Sequence, residues 1–212
     1  MTTREQWLAS RNTFIGGSDA SAILGRNPYK TNVDVWLEKT GKVVPKDISN
    51  KPYVKYGIEA EKYLTALFAL DHPQYQVAVN ENYTVHRHPD YKFIGGTLDG
   101  ELTETETERK GILEIKTTEI LNSMHREKWN DKIPDNYFCQ ICHYFLATGW
   151  DFAFLKAQLK TVYGDDVRLN TRHYHIERAE VQESLDYLLE EELKFWRYVE
   201  TVRRPPFVLP PI

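Results

Sequence analysis

The stretch GGTLDGELTETETERKGILEIKTT, residues 95–118, decides the architecture. Its second half, GILEIKTT, alternates with period two: Glu114 and Lys116 share one face of a strand, and Leu113, Ile115 and Thr117 take the other. A preceding strand runs through YKFIGGTLDGEL, and the Thr/Glu alternation of TETETER between them reads as the solvated end of a hairpin. The double glycine at 95–96 marks a bulge or a close backbone approach. A glutamate and a lysine in mid-sheet are costly unless something compensates them. That compensation is either each other, as a same-face ion pair, or a metal ion and a reacting phosphate.

Asp99 stands where the first strand gives way to a glycine turn, and the hairpin register can bring it beside Glu114, with Lys116 two residues on. Two carboxylates about 4 Å apart repel by roughly 1–4 kcal/mol at surface-like dielectric. One must take a proton, or a cation must sit between them. Oxygen ligands suit a hard divalent ion such as Mg²⁺, which keeps several waters and lowers the pKa of one of them. An acid, an acid and a lysine therefore suit hydrolysis of a phosphodiester, although the spacing alone is a weak pattern.

The remaining chain supplies one soluble globular unit. Its 212 residues are 41% hydrophobic and 27% charged, with net charge −4, so bulk charge does not advertise nucleic acid. A groove of basic residues around an acidic, metal-neutralised centre remains compatible with that balance. No apolar run approaches the roughly 20 residues of a membrane span, and MTTREQW is no signal peptide, so a cytoplasmic protein without membrane contact is expected. TTREQWLASR reads as a short amphipathic helix. Ser18 reads as the N-cap of a helix over Ala20–Leu24, closed by Gly25. NPYKTNVDVWLEKTG gives a turn and a helix, and a longer helix is expected over Tyr53–Leu70, with Ala60, Tyr63, Leu64, Leu67 and Phe68 in one apolar arc. After a strand candidate in YQVAVNENYTVH and the hairpin come helices over 119–130 and Pro134–Ala147. Two pairing strands, DFAFLKAQLK and RHYHIER, precede a charged helix over 179–200 and a proline-rich tail, RRPPFVLPPI, docked or loose. The fold class is α/β (α+β): a central mixed sheet flanked by helices, in a single domain over 1–212 with its core at about 53–178, N-terminal helices in 1–50 and a C-terminal helix and tail in 179–212.

The ordered pieces RNTFIGGSDASAILGRNPYKT, WLEKTG, YGIEAE, GGTLDG, LEIK and IPDNYFCQICHYFLATG resemble the PD-(D/E)xK nuclease superfamily, in particular its YqaJ-like viral recombinase branch, related to lambda exonuclease. The resemblance covers about Arg11 to Gly149, with Leu98 where the superfamily name has proline. It implies a restriction-endonuclease-like core. It also implies that Asp99, Glu114, Glu61 and the backbone carbonyl of Ile115 bind Mg²⁺, with Mn²⁺ as a substitute, that Lys116 orients the attacking water, and that Gln140 faces the site. Arg11 and Ser18 would hold a terminal 5′-phosphate. The implied activity is 5′-to-3′ degradation of double-stranded DNA from its ends, leaving a 3′ single strand for phage-type recombination in a bacterial or phage-infected cell. A trimeric ring and a single-strand annealing protein as partner follow from the same resemblance. An endonuclease or repair nuclease with the same core, or a non-catalytic DNA-binding or assembly module, are the alternatives.

Periodicity alone leaves several assignments open. Glu59 and Glu61 flank the apolar arc of their helix almost symmetrically. Gln140 and His143, three apart on an otherwise apolar helix, are either site-facing groups or core side chains satisfied by backbone. Ser18 is either a plain cap or a phosphate ligand, and Asp19 beside it would repel a phosphate unless it points away. Cys139 and Cys142 read as buried thiols; two cysteines cannot supply an iron–sulfur cluster's usual four ligands. His86, His88, His173 and His175 read as exposed strand residues, and Trp36 and Trp150 as core. Arg126, Lys128 and Lys132 line a DNA channel or form a charged helix face.

Overall fold

A computed structural model describes residues 4–80 and 82–209. Short helices α1 (Arg4–Ser10), α2 (Gly17–Ile23) and α3 (Asn32–Lys39) lead to the long α4 (Pro52–Asp71). Strands β1 (Tyr75–Val79), β2 (His86–Arg87), β3 (Gly95–Gly96), β4 (Gly100–Glu104) and β5 (Lys110–Glu119) follow. Helices α5 (Ser123–Glu127) and α6 (Asp135–Thr148) precede β6 (Phe152–Tyr163), β7 (Asp166–Glu177) and α7 (Gln182–Glu200). The main sheet has the order β1-β4-β5-β6-β7, and β2 pairs with β3 apart from it. Among the described strands of the main sheet, only β5 and β6 run parallel, and such a pair needs a crossover, which α5 and α6 provide.

The hairpin forms as its alternation dictates. β4 and β5 are antiparallel, with Gly100 opposite Leu113 and Thr103 opposite Lys110. Leu113 and Ile115 pack with Leu64 and Phe68 of α4 and with Phe152 and Phe154. Ile112 packs on the opposite face with Ile141 and Phe145 of α6. The sheet is thus covered on both faces, and α4 and α6 lie on opposite sides of the strand that carries Glu114 and Lys116.

Four expectations need correcting. The strand through the double glycine is two strands in two sheets, broken at Thr97–Asp99, because the backbone at Gly96 passes against a ring: a Cβ there would lie 2.5 Å from Tyr144. The helix expected over 119–130 shrinks to Ser123–Glu127, because β5 pairs with β6 as far as Glu119, the Ile120 amide still donates to Lys160 at 2.8 Å, and the Asn122 side chain caps the helix by accepting from the His125 amide at 2.9 Å. The apolar arc of α4 is narrower than its periodicity suggests: Leu64 and Phe68 are buried, while Tyr63 and Leu67 are exposed. Gly16, not Ser18, caps α2, and its amide donates to Asp19 at 3.1 Å. The tail is docked: Asn32 donates to the Pro206 carbonyl at 2.7 Å and accepts from Val208 at 3.1 Å. Thr2 and Thr3 of the expected first helix, Glu81 of the expected first strand and the last three tail residues lie outside the described residues. Among the described residues, no helix is long and apolar enough to cross a membrane.

Candidate active site

Asp99 immediately precedes β4, at a point where β5 remains paired with β6 but has run past the end of β4 on its other side. There the Ile115 amide, which a continuing strand would accept, donates instead to Asp99 Oδ2 at 2.8 Å. A ladder residue offers its amide and carbonyl to the same neighbour, so the Ile115 carbonyl faces this gap too. Leu98, in the place of the proline, is buried in the main core and anchors the turn that presents Asp99. Glu114 is 1% exposed; its Oε1 accepts from Lys116 Nζ and, at 2.7 Å, from Gln140 Nε2. Its Oε2 is buried with no hydrogen-bond partner. An unsatisfied carboxylate oxygen at such a place costs free energy that a cation could repay.

The electrostatics carry the same signature. Burial and the Asp99 charge push the Glu114 carboxyl up to about 8, against the pull of Lys116. Glu61 is pushed up to about 7 by its burial and by Asp99, and Asp99 itself is raised by burial despite Lys116 and the Ile115 amide. Burial would lower Lys116, but Glu114 and Asp99 outweigh it and raise it. Three carboxylates thus crowd one ammonium, each resisting ionisation. The ambiguity on α4 is resolved by orientation: Glu59 pairs with Lys62 at 2.8 Å on the exposed side, while Glu61 lies close enough to feel Asp99 and Lys116. Among the described residues, no three His, Cys, Asp or Glu side chains already stand in a metal-ligating group.

Gln140 also donates to Tyr144 Oη at 2.8 Å, and the Tyr137 ring lies 5.4 Å from Lys116 Nζ. Tyr137, Gln140 and Tyr144 occupy one face of α6, a spacing that could have revealed both tyrosines. His143 diverges from them. It is fully buried, donates from Nε2 to the Gly95 carbonyl at 2.9 Å and shares a proton from Nδ1 with Glu192 at 2.7 Å, pinning α6 to β3 and α7. Both ring nitrogens are engaged, so it is a structural histidine turned away from Asp99 and Glu114.

Arg11 reaches Ser18, donating to its Oγ at 3.4 Å, and Ser18 is exposed. A Cβ on Gly17 would lie 2.9 Å from Gln140 Cγ, so the start of α2 abuts the residue that holds Glu114. Asp19 points away from this surface. It is 2% exposed and pairs with Lys39 at 2.7 Å and Lys30 at 3.0 Å. His86 contacts Glu101 and His173 contacts His72, each at 3.0 Å, and Cys139 and Cys142 are buried free thiols.

The profile described as YqaJ-like viral recombinase domain matches residues 6–151, more than half of the chain. The YqaJ protein of Bacillus subtilis (strain 168) is 33% identical over 195 residues, 92% of this chain and 56% of that protein. The chain thus spans little more than half the length of that relative. An alkaline exonuclease from Laribacter hongkongensis shares the fold, with TM-score 0.67 at 16% identity over 94% of this chain and 96% of that one; its complex with dAMP gives 0.66. A phage-related exonuclease from Haemophilus somnus 129PT gives 0.56 at 13% identity, over 89% and 95%. On the strength of that match over residues 6–151, the chain belongs to the YqaJ-like viral recombinase family.

Proposed function

We propose that this chain is a Mg²⁺-dependent deoxyribonuclease that hydrolyses duplex DNA from its ends, 5′ to 3′. Supporting this reading are the family, the exonuclease names of its structural relatives and, above all, one observation: Asp99, Glu114 and Glu61 crowd around Lys116, with one Glu114 oxygen buried and unpartnered. The donor set fits a hard divalent ion, being all oxygen and short of positive charge. Asp99, Glu114, Glu61 and the Ile115 carbonyl would hold it, with Mn²⁺ an acceptable substitute. A bound ion would supply Lewis-acid stabilisation of the phosphorane-like charge and a more acidic water.

The chain's own groups do the positioning. The Ile115 amide fixes Asp99, and Gln140, braced on Tyr144, fixes Glu114. Lys116, freed from Glu114 when that carboxylate turns to another partner, orients the attacking water and neutralises charge growing on the phosphate. Arg11 and Ser18 would receive the terminal 5′-phosphate, which sets the register of cleavage. A ring of three copies around the duplex and a single-strand annealing partner complete the proposal. Incubation with Mg²⁺ and end-labelled linear duplex should release mononucleotides, faster from 5′-phosphorylated ends, and spare a closed circle. Cutting of the circle would move the assignment to an endonuclease, and no cutting of either would leave a binding module.

Metal binding has a second readout. Between about pH 5 and pH 8 the folded, metal-free protein keeps protons on Glu114 and Glu61 that the unfolded chain releases, so its stability falls as pH rises through that window. Mg²⁺ competes with those protons. It should therefore raise the melting temperature more at pH 8 than at pH 6; a hundredfold excess over Kd corresponds to about 2.7 kcal/mol of stabilisation. A melting temperature indifferent to millimolar Mg²⁺ at pH 8 would sink the metal site.

A further inference from the structure

A second feature lies between α2 and α6. The loop after α2 and the loop leading into α6 enclose a cleft of about 340 Å³, lined by Arg26, Asn27, Lys128, Lys132, Asp135 and Asn136 among others. Arg26, Lys128 and Lys132 are exposed, and none of them is in an ion pair among the described residues, Asp135 included. In a chain of net charge −4, three uncompensated cations around one cavity with a single carboxylate reverse the local field.

On each wall the cleft borders residues that lead toward the candidate site. Asn136 adjoins Tyr137, whose ring stands 5.4 Å from Lys116 Nζ. On the other wall Asn27 reaches back to the Ser18 carbonyl at 3.4 Å and to Ser21 Oγ at 3.1 Å. A strand whose scissile phosphate sat at Lys116 would carry its neighbouring phosphates past Tyr137 into this cavity.

We propose that the cleft seats backbone phosphates of the nucleic-acid strand next to the scissile one, with Arg26, Lys128 and Lys132 as the phosphate ligands. The inference rests on the nuclease reading and adds to it a grip distinct from the Arg11–Ser18 end. Such contacts fix register without reading sequence. The three cations being exposed, their removal leaves the core intact.

The test is a triple variant, Arg26→Gln with Lys128→Gln and Lys132→Gln, compared with wild type for binding to a fluorescent linear duplex without metal and for digestion with Mg²⁺. Binding should weaken about tenfold or more, and the slope of log K against log salt should flatten by about 2–3, each phosphate contact being worth about 0.9. Digestion should show a raised KM with kcat little changed. Unchanged affinity and salt slope, in a variant that melts like wild type, would overturn the cleft assignment even if wild type cleaves. A wild type that binds but does not cleave would remove the nuclease reading and leave the binding comparison to decide the cleft. A wild type that does neither ends both.

Discussion

Replacing Glu114 by Gln, or Lys116 by Met, is expected to lower DNA cleavage by about 10²–10³-fold or more, with KM nearly unchanged and the protein folded. Losses of that size accompany removal of one group that stabilises charge developing in the transition state. Glu114→Gln keeps the shape of a side chain that is 1% exposed and relieves repulsion from Asp99 and Glu61, so the metal-free variant should melt no lower than wild type. Lys116→Met keeps a stem of similar length and leaves Gln140 still bonded to Glu114. Single-turnover digestion of linear duplex, with circular dichroism melts of the same preparations, checks both parts. Cleavage within threefold of wild type in either variant would refute the proposed roles.

The second large effect is on stability. Asp19→Ala should cost about 3–5 kcal/mol, because it strands the buried Lys39 ammonium. Lys39 has a side chain 5% exposed and loses its carboxylate partner, and Lys30 keeps only Glu38. In a chain of this size each kcal/mol moves the melting temperature by about 2–4 °C. The pH dependence follows from the same contacts. Burial alone would raise Asp19, but Lys39 and Lys30 outweigh it and hold its carboxyl well below the ordinary carboxylate range. The stability it contributes is fully present above the unfolded value of 3.8 and is lost as pH falls below that toward the folded one. Asp19→Ala should therefore flatten the acid limb of the stability curve as well as lower its plateau. Chemical denaturation between pH 2.5 and pH 7 measures both, and a variant as stable as wild type at pH 7 would contradict the account.

The hairpin was legible because alternation and turn chemistry agree over residues 95–118, and the register then follows from loop length. Asp99 and Glu114 could be brought together from that alone. Glu61 could not be separated from Glu59 by periodicity, because the two flank one stripe; a distant strand decides between them. Asp19 was a puzzle for a related reason. A charged residue in a short helix reads as exposed, and its burial depends on Lys30 and Lys39, 11 and 20 positions away. The helix after β5 starts later than its sequence suggests because the Ile120 amide still donates to the Lys160 carbonyl of β6 and the Asn122 side chain then caps the helix at His125. His143 looked like a companion of Gln140, yet 60° of helix rotation sends it to Gly95 and Glu192.

The seat of Asp99 divides one side chain between two duties. Its Oδ2 closes the ladder where β4 runs out, by taking the Ile115 amide. On the proposed reading, the other oxygen is the one offered to a metal ion. An amide in the same place can still accept that bond but brings no charge, so on that reading a lineage that drifted to asparagine here would keep its architecture while losing cleavage. Shape and chemistry in this protein come apart at a single atom.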